Sequence, residues 1–292
     1  MGDLSLKGQI IFMTGATSGL GKVAACHIAN QGAKVIATIR NTQKGENLLA
    51  HYKSTFPEGV GSIEFVECNL DSFESITKAC NEVKAKTDQL DMIINNAGIM
   101  NFEFKESKDG IEETFHVNLL APILMLHYLG GLLEGSKSAK IINTASGLHQ
   151  GIINFDDIEF RENKFSSFKV YRQSKLGLIQ LGRLLSEKLS KKGISIYSQH
   201  PGMVKTELGR DAGSFSKLVF WLMGKSPEKG AQTLLHLVNT PTGNLTSGEY
   251  YANNKVTKIT EESNDLEMAA KLLGVTRQYL SAHLNGSSLI FE

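Results

Sequence analysis

Cysteine is too scarce here to staple a fold. Cys26, Cys68 and Cys80 make an odd set of three with no Cys-x-x-Cys spacing. That excludes a disulfide framework and predicts free thiols in a reducing, cytoplasmic setting. Cys26 and Cys80 fall in helical stretches and read as core filler. The eight histidines have no metal-ligand spacing, so no metal is expected. No Pro/Ser-rich linker divides the 292 residues, which predicts a single domain over 1–292. Long apolar runs are missing too. The longest block, Leu218–Met223, has six residues, whereas a membrane span needs roughly 20. No transmembrane segment is therefore expected, and no basic-plus-apolar leader stands before the first strand. Neither charge dominates: 31 basic residues face 30 acidic ones, for a net +1. That removes the electrostatic case for nucleic acid or an anionic membrane as partner.

What is present is a repeated strand–helix alternation. Strands are predicted at Gln9–Thr14, Lys34–Ile39, Ser62–Cys68, Leu90–Asn95, Lys140–Thr144 and Ser195–Gln199. Helices are predicted at Leu20–Gln31, Gln43–Phe56, Ser72–Lys86, Ile111–Leu133 (interrupted near Pro122) and Phe168–Lys191. The pattern resumes with helix Glu228–Leu237, short strand Gly248–Tyr251 and terminal helix Asp265–Leu273. Repeated βα units predict an α/β fold: a doubly wound (Rossmann) parallel sheet flanked by helices. Between Lys205 and Pro227 the alternation lapses into glycines around an apolar, aromatic patch. This stretch reads as a C-terminal substrate lid, favouring a lipophilic small molecule.

The first strand runs into Thr14-Gly15-Ala16-Thr17-Ser18-Gly19-Leu20-Gly21, and a helix follows. That context is what a dinucleotide turn requires. Gly15 permits the tight turn, Gly19 lets backbone approach a pyrophosphate, and Gly21 allows close packing. A phosphate-binding P-loop fails at Ala16 and Val23. An NAD binder places an acidic residue at the end of the second strand. Here the chain reads Thr38-Ile39-Arg40-Asn41-Thr42, without one. Arg40 suits a 2′-phosphate, which predicts NADP(H), and Lys44 could assist.

Far downstream, Tyr171 and Lys175 are four residues apart on a predicted helix. They share a face. A neighbouring ammonium would pull the phenol below its ordinary pKa near ~10, making it a proton donor and acceptor for a carbonyl or alcohol oxygen. Ser146 follows the strand Lys140–Thr144, at the strand end where ligands of such sheets bind. His149 reads as a solvated loop residue, His200 as structural, and Asp156 and Asp157 as loop or helix-start residues.

The ordered set Thr14-Gly-x-x-x-Gly19-x-Gly21, Asn95-Asn96-Ala97-Gly98, Ser146, Tyr171-x-x-x-Lys175 and Pro201-Gly202 resembles the short-chain dehydrogenase/reductase family. Within it, Ile39-Arg40-Asn41, the Tyr171–Leu176 run and Gly248-x-Tyr250-Tyr251 look most like the retinol-dehydrogenase-like branch. The resemblance implies an NADP(H)-dependent oxidoreductase with Asn118, Ser146, Tyr171 and Lys175 as catalytic residues. It further implies cofactor contacts from Gly15, Thr17, Ser18, Gly19, Leu20, Gly21, Arg40, Asn69, Leu70, Asn96, Ala97, Gly98, Tyr171, Lys175, Pro201, Gly202, Val204 and Thr206. Asn69 departs from the family's usual Asp at the adenine. The 25-residue gap from Ser146 to Tyr171 holds Asn154-Phe155-Asp156-Asp157-Ile158, which resembles an insertion of that branch. Two other readings stay open: an epimerase or dehydratase on the same fold, and a non-catalytic NADP(H)-binding regulatory protein. A homo-oligomer is also left open.

Overall fold

The computed structural model describes residues 5–162, 164–202, 225–284 and 289. Val204, Thr206 and residues 205–224 of the expected lid lie outside these. The strands are β1 (Ile10–Met13), β2 (Lys34–Ile39), β3 (Ser62–Glu67), β4 (Met92–Asn95), β5 (Lys140–Thr144), β6 (Ser195–His200), β7 (Tyr250–Ala252) and β8 (Lys255–Val256). They form one sheet in the order β3-β2-β1-β4-β5-β6-β7-β8. Every pairing is parallel except β7 with β8. This is the doubly wound architecture predicted. Strand order reverses beside β1, which opens a crevice at the carboxyl ends of β1 and β4.

The sheet is buried on both faces because its strands alternate. Phe12, Ile36, Ile93 and Ile141 point into one core, and Ile11, Met13, Val35, Ala37, Ile94 and Ile142 into the other. Helices α3 (Phe73–Lys86), α4 (Glu113–Leu133), α5 (Ser167–Lys191) and α7 (Leu266–Leu280) cover the first core. Helices α1 (Gly19–Asn30), α2 (Thr42–Thr55) and α6 (Pro227–Asn239) cover the second. Pro227 opens α6, where a missing N–H costs nothing, and Ser226 caps it by accepting from the Lys229 N–H. α4 is long and apolar enough to cross a membrane, but most of its apolar stretch is buried inside the protein.

Three elements differ from expectation. The interruption near Pro122 is a π turn, His116–Leu120, in which the Ala121 N–H reaches back to the His116 carbonyl. The helix continues through it. α7 does not stop before Gly274 but runs to Leu280, because Leu272, Thr276 and Leu280 are buried along one stripe. That burial offsets the roughly 1 kcal/mol cost of a helical glycine. β8 is only two residues long and exposed, too short for its pattern to carry a strand signal.

Candidate active site

The glycine turn folds as its composition demands. Gly15 and Gly19 adopt φ of 69° and 51°, a region costing roughly 1–2 kcal/mol for a residue with a β-carbon. A β-carbon on Gly15 would stand 2.8 Å from the Ala97 backbone, and one on Gly21 2.0 Å from the Gly15 carbonyl oxygen. Gly21 therefore serves the turn's own packing. Asn96 and Ala97, just past β4, hold the turn from beside. Thr14 Oγ1 accepts from the Asn96 and Ala97 N–H groups (3.1 and 3.0 Å), and Asn96 Nδ2 donates to the Gly15 carbonyl (3.0 Å). Ser18 caps α1 from an extended conformation without a side-chain cap bond, and the first turn holds no acidic residue. Thr17 is half-buried and Leu20 buried behind the turn. These features fit a pyrophosphate: glycine leaves backbone amides unshielded, and no carboxylate opposes an anion at the helix N-terminus.

Arg40 follows β2 and is exposed. Asn41 beside it caps α2 by accepting from the Lys44 N–H at 3.1 Å. Asn69 and Leu70 follow β3, the strand paired with β2. The Asn69 N–H donates to Ser75 Oγ at 2.9 Å, and Leu70 packs against the core. All lie on the β1–β3 side of the crevice, as an adenosine half would require.

On the other side the catalytic candidates converge on Gly98. A β-carbon there would lie 3.0 Å from Lys175 Nζ and 3.2 Å from Asn118 Oδ1. Asn118 sits in the π turn of α4, the kind of local widening that recurs at functional sites. Its Oδ1 accepts from the Ile99 N–H (2.8 Å), and its Nδ2 donates to the Ile99 carbonyl (2.9 Å) and to Ser174 Oγ (3.1 Å). Ser174 Oγ donates in turn to the Tyr171 carbonyl at 2.8 Å. Lys175 Nζ donates to the Thr144 carbonyl at 2.9 Å and stands 5.8 Å from the centre of the Tyr171 ring. Burial lowers the Lys175 ammonium to about 8.

The Tyr171 phenol is buried, with the Ser146 side chain beside it. Burial raises its pKa, and the Ser146 hydroxyl pulls it back. The expectation that Lys175 would dominate, lowering the phenol, is corrected here. The ammonium is spent on Thr144, and desolvation outweighs it.

Ser146 lies just past β5, its Oγ accepting from the Leu148 N–H at 3.0 Å. Pro201 and Gly202 follow β6, with Gly202 at φ 82°. The segment 154–158 folds back onto α5. The Asn154 N–H donates to Gln173 Oε1 at 3.2 Å, and Gln173 Nε2 donates to the Ile158 carbonyl. Asp157 accepts from the Arg161 and Glu162 N–H groups, a loop role as expected.

Several residues of this site escaped sequence reasoning. Thr14 and Ser174 lie inside the motifs, where their neighbours drew the attention. His149 is buried rather than solvated, its Nδ1 2.8 Å from the Ser146 carbonyl oxygen. Tyr250 donates to the same oxygen at 3.0 Å, and the Gly147 N–H donates to His200 Nδ1 at 2.9 Å. No spacing rule links these residues, because β7 arrives beside β6 only through the fold.

The family model described as short chain dehydrogenase matches residues 9–216. Retinol dehydrogenase 14 of Homo sapiens is 32% identical over 289 residues, covering 93% of this chain and 86% of its own. Among solved structures, an uncharacterised protein from Mycobacterium paratuberculosis has a TM-score of 0.76 at 25% identity, covering 94% of each chain. A metagenomic short-chain oxidoreductase solved in complex with NADP has a TM-score of 0.61 at 24% identity, covering 83% of this chain and 96% of its own.

Proposed function

The chain belongs to the short-chain dehydrogenase/reductase family, in its retinol-dehydrogenase-like branch, and from that premise we propose an NADP(H)-dependent enzyme acting on a lipophilic carbonyl or alcohol, with Tyr171 as general acid/base. Membership alone makes it an oxidoreductase of alcohol and carbonyl groups that uses a nicotinamide cofactor. The finer reading rests on one observation above all: the Tyr171 phenol is buried beside the Ser146 side chain, one helical turn from Lys175.

In this reading Gly15, Thr17, Ser18, Gly19, Leu20 and Gly21 would hold the pyrophosphate, and Asn69 and Leu70 the adenine. Asn96, Ala97 and Gly98 would lie under the riboses, with Pro201, Gly202, Val204 and Thr206 on the nicotinamide side. Arg40 would pair with the 2′-phosphate. When bound, the nicotinamide supplies or accepts hydride. Ser146 orients the substrate oxygen, and Tyr171 exchanges a proton with it. Burial keeps the phenol protonated, which suits the donor role in carbonyl reduction. Lys175 holds positive charge beside the phenol, and Asn118 fixes the Ile99 backbone that lines the same crevice.

The lipophilic preference is supported by Leu148, Ile152 and Phe168. These apolar side chains stay exposed in the loop after Ser146 and one turn before Tyr171. A reducing, cytoplasmic setting belongs to the same proposal, supported by three free, buried thiols.

The test is NADPH oxidation at 340 nm against aliphatic, aromatic, terpenoid and steroid carbonyls. We expect turnover of at least one apolar class, and a loss of 10²-fold or more, roughly, in Tyr171→Phe. Turnover in that variant within about tenfold of the parent would remove Tyr171 as the principal acid/base.

A further inference from the structure

The peptide joining Ser146 to Gly147 is gripped at both its polar ends. Its carbonyl oxygen accepts from the Tyr250 hydroxyl (3.0 Å) and faces His149 Nδ1 (2.8 Å). Its N–H donates to His200 Nδ1 (2.9 Å). The three side chains come from three places: the loop after β5, the end of β6 and the start of β7. A carbonyl oxygen only accepts, so His149 carries a proton on Nδ1. An amide N–H only donates, so Nδ1 of His200 is bare and its proton sits on Nε2. The two Nδ1 atoms thus play opposite roles around one peptide, donor in His149 and acceptor in His200.

A second observation points the same way. The His200 ring lies so close over Gly147 that a β-carbon there would stand 3.0 Å from Nε2 and 3.2 Å from Cε1. Residue 147 does not lie in the left-handed region, so a β-carbon here is crowded by the ring above it and not opposed by φ. Burial, together with Lys225 and His149 nearby, lowers His200 to about 4, so the ring stays an acceptor across the neutral range.

We propose that His200 is a positioning residue: by accepting from the Gly147 N–H it fixes the Ser146–Gly147 peptide and so aims the Ser146 hydroxyl at the Tyr171 phenol. Tyr250 and His149 fix the other end of the same peptide. The inference rests on the reading that Ser146 and Tyr171 perform the proton chemistry. A peptide free to rock would carry Ser146 Oγ with it, and the phenol would lose its oriented partner.

The test uses three substitutions that differ only in where an acceptor can sit. Asn places its oxygen one bond from Cγ, as His places Nδ1. Gln places its oxygen one bond further out, near the Nε2 position, and Leu has no acceptor. The first readout needs no turnover: the 13Cζ resonance of Tyr171 at pH 7, which reports the phenol's hydrogen bond, assigned by its loss in Tyr171→Phe. We expect His200→Leu and His200→Gln to displace it in the same sense as Ser146→Ala, and His200→Asn to leave it near the parent value. Gly147→Ala, which pushes the ring away, should follow His200→Leu. The second readout is kinetic. His200→Leu and His200→Gln should lose about 10–100-fold in kcat with KM for NADPH little changed, and His200→Asn should recover most of it. A Tyr171 resonance unmoved by His200→Leu, or a His200→Asn variant as displaced as His200→Leu, would overturn the proposal. If the parent reduces no carbonyl while the resonance pattern appears, the positioning role stands and the catalytic reading is what fails.

Discussion

Arg40 shows what one side chain can decide. It follows β2, exposed, where an NAD-binding chain would present a carboxylate. A guanidinium can take two phosphate oxygens at once, whereas a ribose hydroxyl offers it little. Arg40→Ala should weaken NADPH roughly tenfold or more relative to NADH. Calorimetric titration of both cofactors checks this, and equal affinities in the parent chain would contradict it. At this scale the sequence was legible where chemistry is written in spacing: Tyr171, Lys175, Ser146 and the glycine turn all meet in the crevice. The direction of the Tyr171 shift was not legible, because burial has no signature in an i, i+4 interval. His149 was misjudged for the same reason: what surrounds it comes from strands distant in sequence, whereas His200 is structural as expected.

Elements are held by groups that have nothing to do with the chemistry. Lys140 opens β5 at the end of the sheet remote from the crevice and is almost wholly buried. Its Nζ donates to the carbonyls of Leu237, Val238 and Thr240 at 2.9, 2.8 and 2.7 Å, closing the C-terminus of α6. Three carbonyl acceptors use all three ammonium protons, even though burial lowers the group to about 8. Lys140→Met should cost about 1–3 kcal/mol by leaving those carbonyls unmet. NADPH affinity should be unchanged; denaturant melts beside cofactor titration separate the two effects. Element types were readable from apolar periodicity, as the alternation of Ile93 with Ile94 and of Ile141 with Ile142 across the sheet illustrates. Ends were less readable. Gly274 looked like a stop, but nothing lies within 4 Å of where its β-carbon would be, and the stripe through Thr276 and Leu280 carries the helix on.

For the whole molecule, stability answers to pH through a few buried groups. Glu112 is fully buried, and burial raises it to about 7. Its folded pKa lies above its unfolded value, so its contribution is present at low pH and fades as pH rises through about 7. His116, packed against Phe73 at 4.2 Å with both ring nitrogens lacking hydrogen-bond partners, is lowered to about 4. His200 is lowered likewise. Their contributions are present above the ordinary histidine pKa and fade as pH falls through about 4. A stability maximum in mildly acidic to neutral solution follows. Glu112→Gln keeps the acceptor for the Phe115 N–H, now taken by Oε2 at 2.6 Å, and removes the titration. Against the parent it should be nearly neutral at pH 5 and increasingly stabilising toward pH 8, approaching about 3 kcal/mol at most. Thermal melts at the two pH values check the sign, and a gain larger at pH 5 would refute it.

The π turn of α4 carries one residue more than an α-helical turn would, since the Ala121 N–H reaches five residues back to His116. That surplus acts as a phase setting. Each residue advances a helix by about 100°, so everything before the turn is rotated relative to everything after it by one residue's worth of azimuth. Asn118 owes its approach to Ile99 to that offset. Deleting Leu120 would return the helix to regular winding, yet it would swing Asn118 off the crevice. Leu120 is fully buried in the core, so the deletion should lower the melting temperature, and kcat should collapse even at temperatures where the variant stays folded. Melting and turnover measured on the one deletion variant would show whether this molecule trades regularity of its longest apolar helix for the aim of a single amide.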